Sequence, residues 1–247
     1  MIRRYVPGVL LVLVLALLWE YGVQWFSVPH YIIPKLSSVV TALWDNRSSL
    51  THHFGVTLGE ALLGLFLSVV TGCALAIWMH MSKLAQRLVY PLLVASQTIP
   101  VIALSPILVM WFGYEMGSKI AIAVLFCFFP IAVGASDGFK AVNRDILELM
   151  QTMGGSKSAI FFKLYVPSAL PSFFSGLKVA ATFSVAGATI GEWLGAESGL
   201  GVFSKRASGM MRADSVFAAV ILLSVMGIIL FLFVKWLESV LVKPNKI

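Results

Sequence analysis

Charge is what this chain has least of. Only 12% of its 247 residues are charged, 11 acidic and 18 basic, while 59% are hydrophobic and the mean hydropathy is +0.93. A soluble domain carries roughly 25% charged and about 45–50% apolar residues, and so few polar groups cannot cover the surface of a chain this size. A water-soluble enzyme is therefore excluded, and lipid must be the solvent for much of the surface. Cysteine is scarce as well. Cys73 and Cys127 both lie inside apolar runs, where a thiol behaves as a small hydrophobe rather than a redox or metal group. His30, His52, His53 and His80 are scattered over loops and span ends, without the HExxH or CxxC spacing that gathers metal ligands. They read as polar interfacial residues, and no metal site is expected. No GxxxxGK[ST] stretch occurs, so ATP hydrolysis on this chain is not expected.

What is present is a series of long apolar runs. At about 20 residues per crossing the chain has room for five or six transmembrane helices and no sizeable soluble domain, so an energy source or a soluble receptor has to be another chain. Runs bounded by charge or turn clusters place spans near residues 6–26, 56–79, 88–112, 119–136, 176–195 and 215–237. The first run, interrupted only by Glu20 and Gln24 and followed by no small-residue cleavage site, reads as a retained span and not a signal peptide. Residues 27–55 form a long extramembrane stretch, in which Ser37 to Trp44 suits a short interfacial helix. A second long gap, 137–175, carries Lys140, Arg144, Asp145, Glu148, Lys157 and Lys163.

The net charge of +7 would suggest nucleic acid in a soluble protein, but in a membrane protein it reports orientation, and no nucleic-acid partner is expected. Eleven basic residues fall on the side of the amino terminus: Arg3, Arg4, Lys83, Arg87, Lys140, Arg144, Lys157, Lys163, Lys235, Lys243 and Lys246. Six fall opposite, with Lys178 near the inner end of the fifth span. The positive-inside rule puts both termini and the 137–175 loop in the cytoplasm.

Residues 141–165 read as two short helices with a break. Ala141 to Met153 holds good helix formers, Gly154-Gly155 can supply a left-handed C-terminal cap, and Ser156 can cap a second helix that ends before Pro167. An amphipathic hairpin of this kind suits docking into a cleft on a soluble partner; it could equally just join two spans. Glu148-Leu-Met-Gln-Thr-Met-Gly154, followed after nine residues by Leu164-Tyr165-Val166-Pro167, resembles the cytoplasmic signature of ABC-importer permeases, EAA, three residues, G, nine residues, I-x-L-P. Leu149-Met150 stands where that family has two alanines. The segments Gly176-Leu177-Lys178, Gly191-Glu192-Trp193 and Gly199-Leu200-Gly201, and less closely Ile33 to Val39, resemble the subgroup importing nitrate, taurine, sulfonates and thiamine-pyrimidine precursors.

The resemblance implies an all-α polytopic membrane protein of about six transmembrane helices with a type-1 ABC-importer permease core over 56–240, preceded by a first helix and extracytoplasmic segment over 1–55. It also implies a coupling hairpin at 141–165, with Glu148, Gly154, Ser156, Leu164 and Pro167 engaging the ATPase subunit. The implied partners are cytoplasmic ABC ATPase subunits, an extracytoplasmic solute-binding protein and a second copy of this permease in the lipid bilayer of a bacterial inner membrane. ATP and Mg belong to the ATPase, and no cofactor is expected on this chain.

Span five is rich in small residues. Gly187, Gly191 and Gly195 recur at intervals of four, as do Ala180, Ser184 and Ala188, which permits close helix approach and a rocking interface. Gly187 and Gly191, with Glu192 and Trp193 beside that stripe and Gln97 next to the Thr98-Ile99-Pro100 break, are candidates for the translocation pathway. Pro91, Pro100, Pro106 and Pro130 permit bends in spans three and four. Lys178 is placed to snorkel and Glu192 to be hydrated at the outer boundary, while Glu20 and Glu60 fall toward span ends. Mid-spans almost free of charge argue against the alternative of a stand-alone secondary transporter or channel. An intramembrane protease is the weakest alternative, since Ser136 lies in Gly134-Ala-Ser-Asp rather than GxSG and all four histidines precede it.

Overall fold

The computed structural model describes residues 6–242, so Arg3, Arg4, Lys243 and Lys246 of the charge count lie outside the described residues. The elements are α1 (Val6–Trp25), α2 (Leu36–Asp45), α3 (Arg47–Met81), α4 (Lys83–Thr98), α5 (Val101–Phe112), α6 (Met116–Lys140), α7 (Arg144–Thr152), α8 (Lys157–Ile160), a π turn (Phe161–Tyr165), α9 (Val166–Trp193), α10 (Leu200–Gly209) and α11 (Ala213–Leu241). No strand occurs among the described residues. Among the described residues, five helices are long and apolar enough to cross a membrane, and six crossings result if α4 and α5 together make one.

That pair is where the expected third span departs from a straight helix. α4 and α5 meet at 101°. Pro100 is the cause: it lacks an N–H to continue α4, and it drives Ile99 into an extended conformation, φ −83° and ψ 121°. The second span also begins earlier than expected. α3 starts at Arg47, so the last residues of the stretch read as extramembrane are already helical. The interfacial helix appears as α2, one residue longer at each end than Ser37 to Trp44.

Two compact units divide the chain, one holding the residues up to Thr57 with Glu197–Ser224, the other Leu58–Ala196 and the residues from Val225 on. In the first, Val39, Ala42 and Ala218 form a buried cluster, Trp19 rests against Phe217 at 5.5 Å, and the Trp19 indole donates to the Pro34 carbonyl at 3.0 Å. Its two short helices are capped by other helices. Glu20 accepts from the Ser37 backbone N–H at 3.0 Å and from its hydroxyl at 2.8 Å, at the first turn of α2. At α10, where Gly199 has no side chain to cap with, His53 Nδ1 accepts from the Gly199 N–H at 2.9 Å and Thr57 Oγ1 from the Leu200 N–H at 2.8 Å. The G-L-G motif thus begins a helix whose first donors are satisfied from α3.

In the second unit α6 and α9 run against each other with α3 alongside. Met79, Leu93 and Ala132 form one buried cluster, Ala76, Ala135, Phe139 and Ala169 another. Cys127 is buried, and its thiol lies 3.2 Å from the Ala180 carbonyl, the packing role expected of a small hydrophobe.

Candidate functional site

The hairpin is built by local chemistry. Asn143 caps α7, its Oδ1 accepting from Asp145 N–H at 2.8 Å, so the helix starts at Arg144 and not at Ala141. At the other end Gly154 adopts φ +78°, its N–H donating to Gln151 O at 3.0 Å while Gly155 N–H reaches Met150 O at 2.9 Å. These are the two bonds of a Schellman cap, and a residue with a Cβ is strained at that φ. Ser156 then caps α8, accepting from Ala159 N–H at 3.2 Å. The Gly154-Gly155 and Ser156 caps were visible in the residue types, whereas the Asn143 cap was not read from them.

The second helix does not end before Pro167. Chain direction is kept through a π turn in which Val166 N–H bonds to Phe161 O, and Pro167 falls in the first turn of α9, where its missing N–H is tolerated. Residues Lys157–Trp193 therefore form one helical rod of 37 residues, about 55 Å long at 1.5 Å per residue. Glu148, Gly154 and Ser156 are exposed on the hairpin, Leu164 is buried in the π turn, and Pro167 starts the long helix. Leu149 and Met153, 58% and 78% exposed, leave α7 with an apolar face that no described residue covers.

At the far end of the rod the small-residue stripe serves close packing. A Cβ on Gly187 would stand 2.7 Å from the Ala123 Cα, and one on Gly191 2.9 Å from the Lys119 Cα, so both glycines face the α6 backbone. Gly195 lies beyond the end of α9, against Tyr114. Trp193 is exposed in the last turn of α9, and Gln97 is exposed in the last turn of α4, on a separate element.

Beside Gly191 the structure assembles charges that the sequence reading kept apart. Lys119 Nζ lies 3.2 Å from Glu60 Oε1, both side chains largely buried, and the Glu192 carboxyl lies beside that of Glu60. Glu192 is 1% exposed rather than hydrated, because the α6 backbone closes over Gly191. Glu60 Oε2 is buried with no hydrogen-bond partner among the described residues. Lys178 likewise does not merely snorkel: it pairs with Glu238 at 2.8 Å. Glu60 and Lys119 were missed as site residues. The signal was there, since an acid inside one span and a base in the first turn of another are too costly to leave separately in lipid.

Residues 64–243 match the family described as the binding-protein-dependent transport system inner membrane component. The chain belongs to that family. It is 46% identical over 235 residues to a formylaminopyrimidine transport permease protein of Halalkalibacterium halodurans, covering 95% of this chain and 94% of that one. It is 37% identical to a probable ABC transporter permease protein of Haemophilus influenzae, covering 95% and 96%. A putative aliphatic sulfonates transport permease protein of Bacillus subtilis is 26% identical over 98% of this chain and 89% of its own. Among solved structures, an inward-facing form of the MetNI methionine ABC transporter superposes with a TM-score of 0.67 at 18% identity, over 85% of this chain and 99% of that one. The fold is thus that of a type-1 ABC-importer permease, as the signature at Glu148, Gly154 and Pro167 implied. This inner-membrane component is a transport permease and not an enzyme, and its class works with ATPase and binding-protein partners.

Proposed function

We propose that this permease carries a thiamine-pyrimidine precursor of the formylaminopyrimidine type across the inner membrane. The observation that carries the reading is the 46% identity, spread over nearly the whole of both chains, with a formylaminopyrimidine transport permease. The putative sulfonate permease matches at the lower identity of 26%. In this reading α4 and α5 count as one crossing, six spans place both termini and the hairpin in the cytoplasm, and two copies of the chain enclose the pathway.

The mechanism follows from the rod. The exposed face around Leu149 and Met153, flanked by Glu148, docks in a groove of the partner ATPase, which binds ATP and Mg. Bulkier residues than the family's two alanines call for a groove of matching shape. Closure of the ATPases moves the hairpin, and the Schellman cap at Gly154, the Ser156 cap and the buried Leu164 keep it in fixed register with the helix that starts at Pro167. The displacement reaches Gly187, Gly191, Glu192 and Trp193 without a joint that could absorb it. Solute delivered by the binding protein then meets the pathway, to which Trp193 and Gln97 contribute.

The test is uptake into proteoliposomes holding the permease, its ATPase and its binding protein. Formylaminopyrimidine uptake dependent on ATP supports the reading. Uptake of taurine or nitrate in its place overturns the solute assignment, and flux through the permease alone, without ATPase, overturns the coupling.

A further inference from the structure

A crevice runs from the hairpin into the depth of the spanning helices, and its two halves differ in chemistry. The outer half, about 570 Å³, lies between the end of α3 and the hairpin, with Gln151, Lys157 and Ser158 on its rim and His80 and Tyr165 on its wall. The inner half, about 290 Å³, is lined by apolar side chains alone, among them Cys73, Phe139, Ala169 and Phe173. Ile77, Phe161 and Phe162 belong to both halves, so the two adjoin. Cys73 lies eight residues before the end of α3, so the apolar half reaches about 12 Å below the hairpin.

The wall common to both halves is the π turn. Phe161 and Phe162 come from it, as does Tyr165, and a π turn is a rare geometry that occurs frequently at functional sites. His80 packs on Tyr165 at 4.3 Å and on Phe139 at 4.9 Å, which gives the junction a floor of aromatic rings. Phe162 is 67% exposed at that junction.

We propose that this crevice is a binding site for an anionic phospholipid of the leaflet on the hairpin side. Its phosphate sits at Lys157, Ser158 and Gln151, and one acyl chain enters the slot past Phe162 toward Cys73 and Phe173. The charge of Lys157 selects an anionic headgroup, as basic pockets at the ends of spanning helices do. The apolar half excludes free phosphate and other small anions as the natural occupant, because they would leave it unfilled within the membrane. A lipid there packs against the π turn, so it lies beside the segment through which the ATPase moves the rod.

The assembled transporter in nanodiscs, labelled with a phosphatidylglycerol bearing a photoactivatable group in its acyl chain, tests this. Labelling is expected to concentrate on peptides containing Cys73, Phe162 and Phe173, to be displaced by unlabelled phosphatidylglycerol, and to resist phosphatidylcholine and inorganic phosphate. Lys157→Gln should weaken the competition by unlabelled lipid roughly fivefold, the weight of one lysine at an anionic surface. Leu170→Trp, which narrows the slot, should abolish labelling there while leaving that of exposed α1 unchanged. Labelling spread evenly over α1 and α11 would mean ordinary boundary lipid and overturn the site. So would cross-linking of the crevice residues to the ATPase in place of lipid, or competition by phosphate alone.

Discussion

Replacing Lys119 with methionine removes the one cation 3.2 Å from Glu60 and leaves that carboxylate, 1% exposed, among α3, α6 and α9. Two unit charges at that separation attract by about 5 kcal/mol at an effective dielectric constant of about 20. Desolvation offsets much of this in the intact pair, but a variant that strands one charge loses the attraction and keeps the desolvation. The expected loss is about 3–5 kcal/mol. Pairing the change with Glu60→Gln removes the carboxylate that Lys119 contacts and leaves only the neighbouring Glu192 carboxyl in that place, so the double variant should recover part of the loss. The assay is unfolding of the purified permease in detergent, followed by circular dichroism, for the wild type, both single variants and the double. If the double variant is as unstable as the sum of the singles, the two groups do not act as a pair and the reasoning fails.

Gly154→Val forces a β-branched residue into φ +78°, at a cost of about 1–2 kcal/mol. Since a Cβ there meets nothing within 4 Å, the damage should be confined to the hairpin, seen as ATP hydrolysis retained with solute uptake lost. Ser156→Ala removes the cap on α8 and should cost about 1 kcal/mol, measurable as faster protease cleavage between Thr152 and Ile160 with no change in helix content. Gly191→Leu puts a side chain where a Cβ alone would approach the Lys119 Cα to 2.9 Å. It should prevent α6 and α9 from closing, and the yield of folded protein in detergent gel filtration should collapse, whereas Gly209→Ala, with open space around it, should leave it intact.

Much of the fold was legible because the bilayer imposes a simple rule. Backbone groups in lipid must be satisfied within a helix, so apolar runs of about 20 residues marked the spans, with ends displaced by only a few residues in most cases. The hairpin was legible for a different reason: caps are local, and Ser156 and the Gly154-Gly155 pair carry their conformations with them. Asn143 carries its own too, yet the propensity of Ala141 for helix concealed where it acts. Pro100 and Pro167 show the limit of local reading. Both are helix-breaking residues, but Pro100 turns the chain through 101° while Pro167 is absorbed into a continuous rod by the π turn before it. What decides between them is the surrounding packing.

The sequence by itself determined that the chain lives in lipid, how many crossings it can make, and the spacing of Glu148, Gly154 and Pro167 that resembles the family signature. These depend on composition, run length and bonds between residues a few positions apart. Only the tertiary structure decided that Glu60, Lys119 and Glu192, from three separate helices, share one buried place, and that the glycines of α9 are taken up by the α6 backbone. Charges distant in the chain meet only when helices pack, and the cost of leaving an ion alone in lipid makes that meeting obligatory without saying which partners will meet.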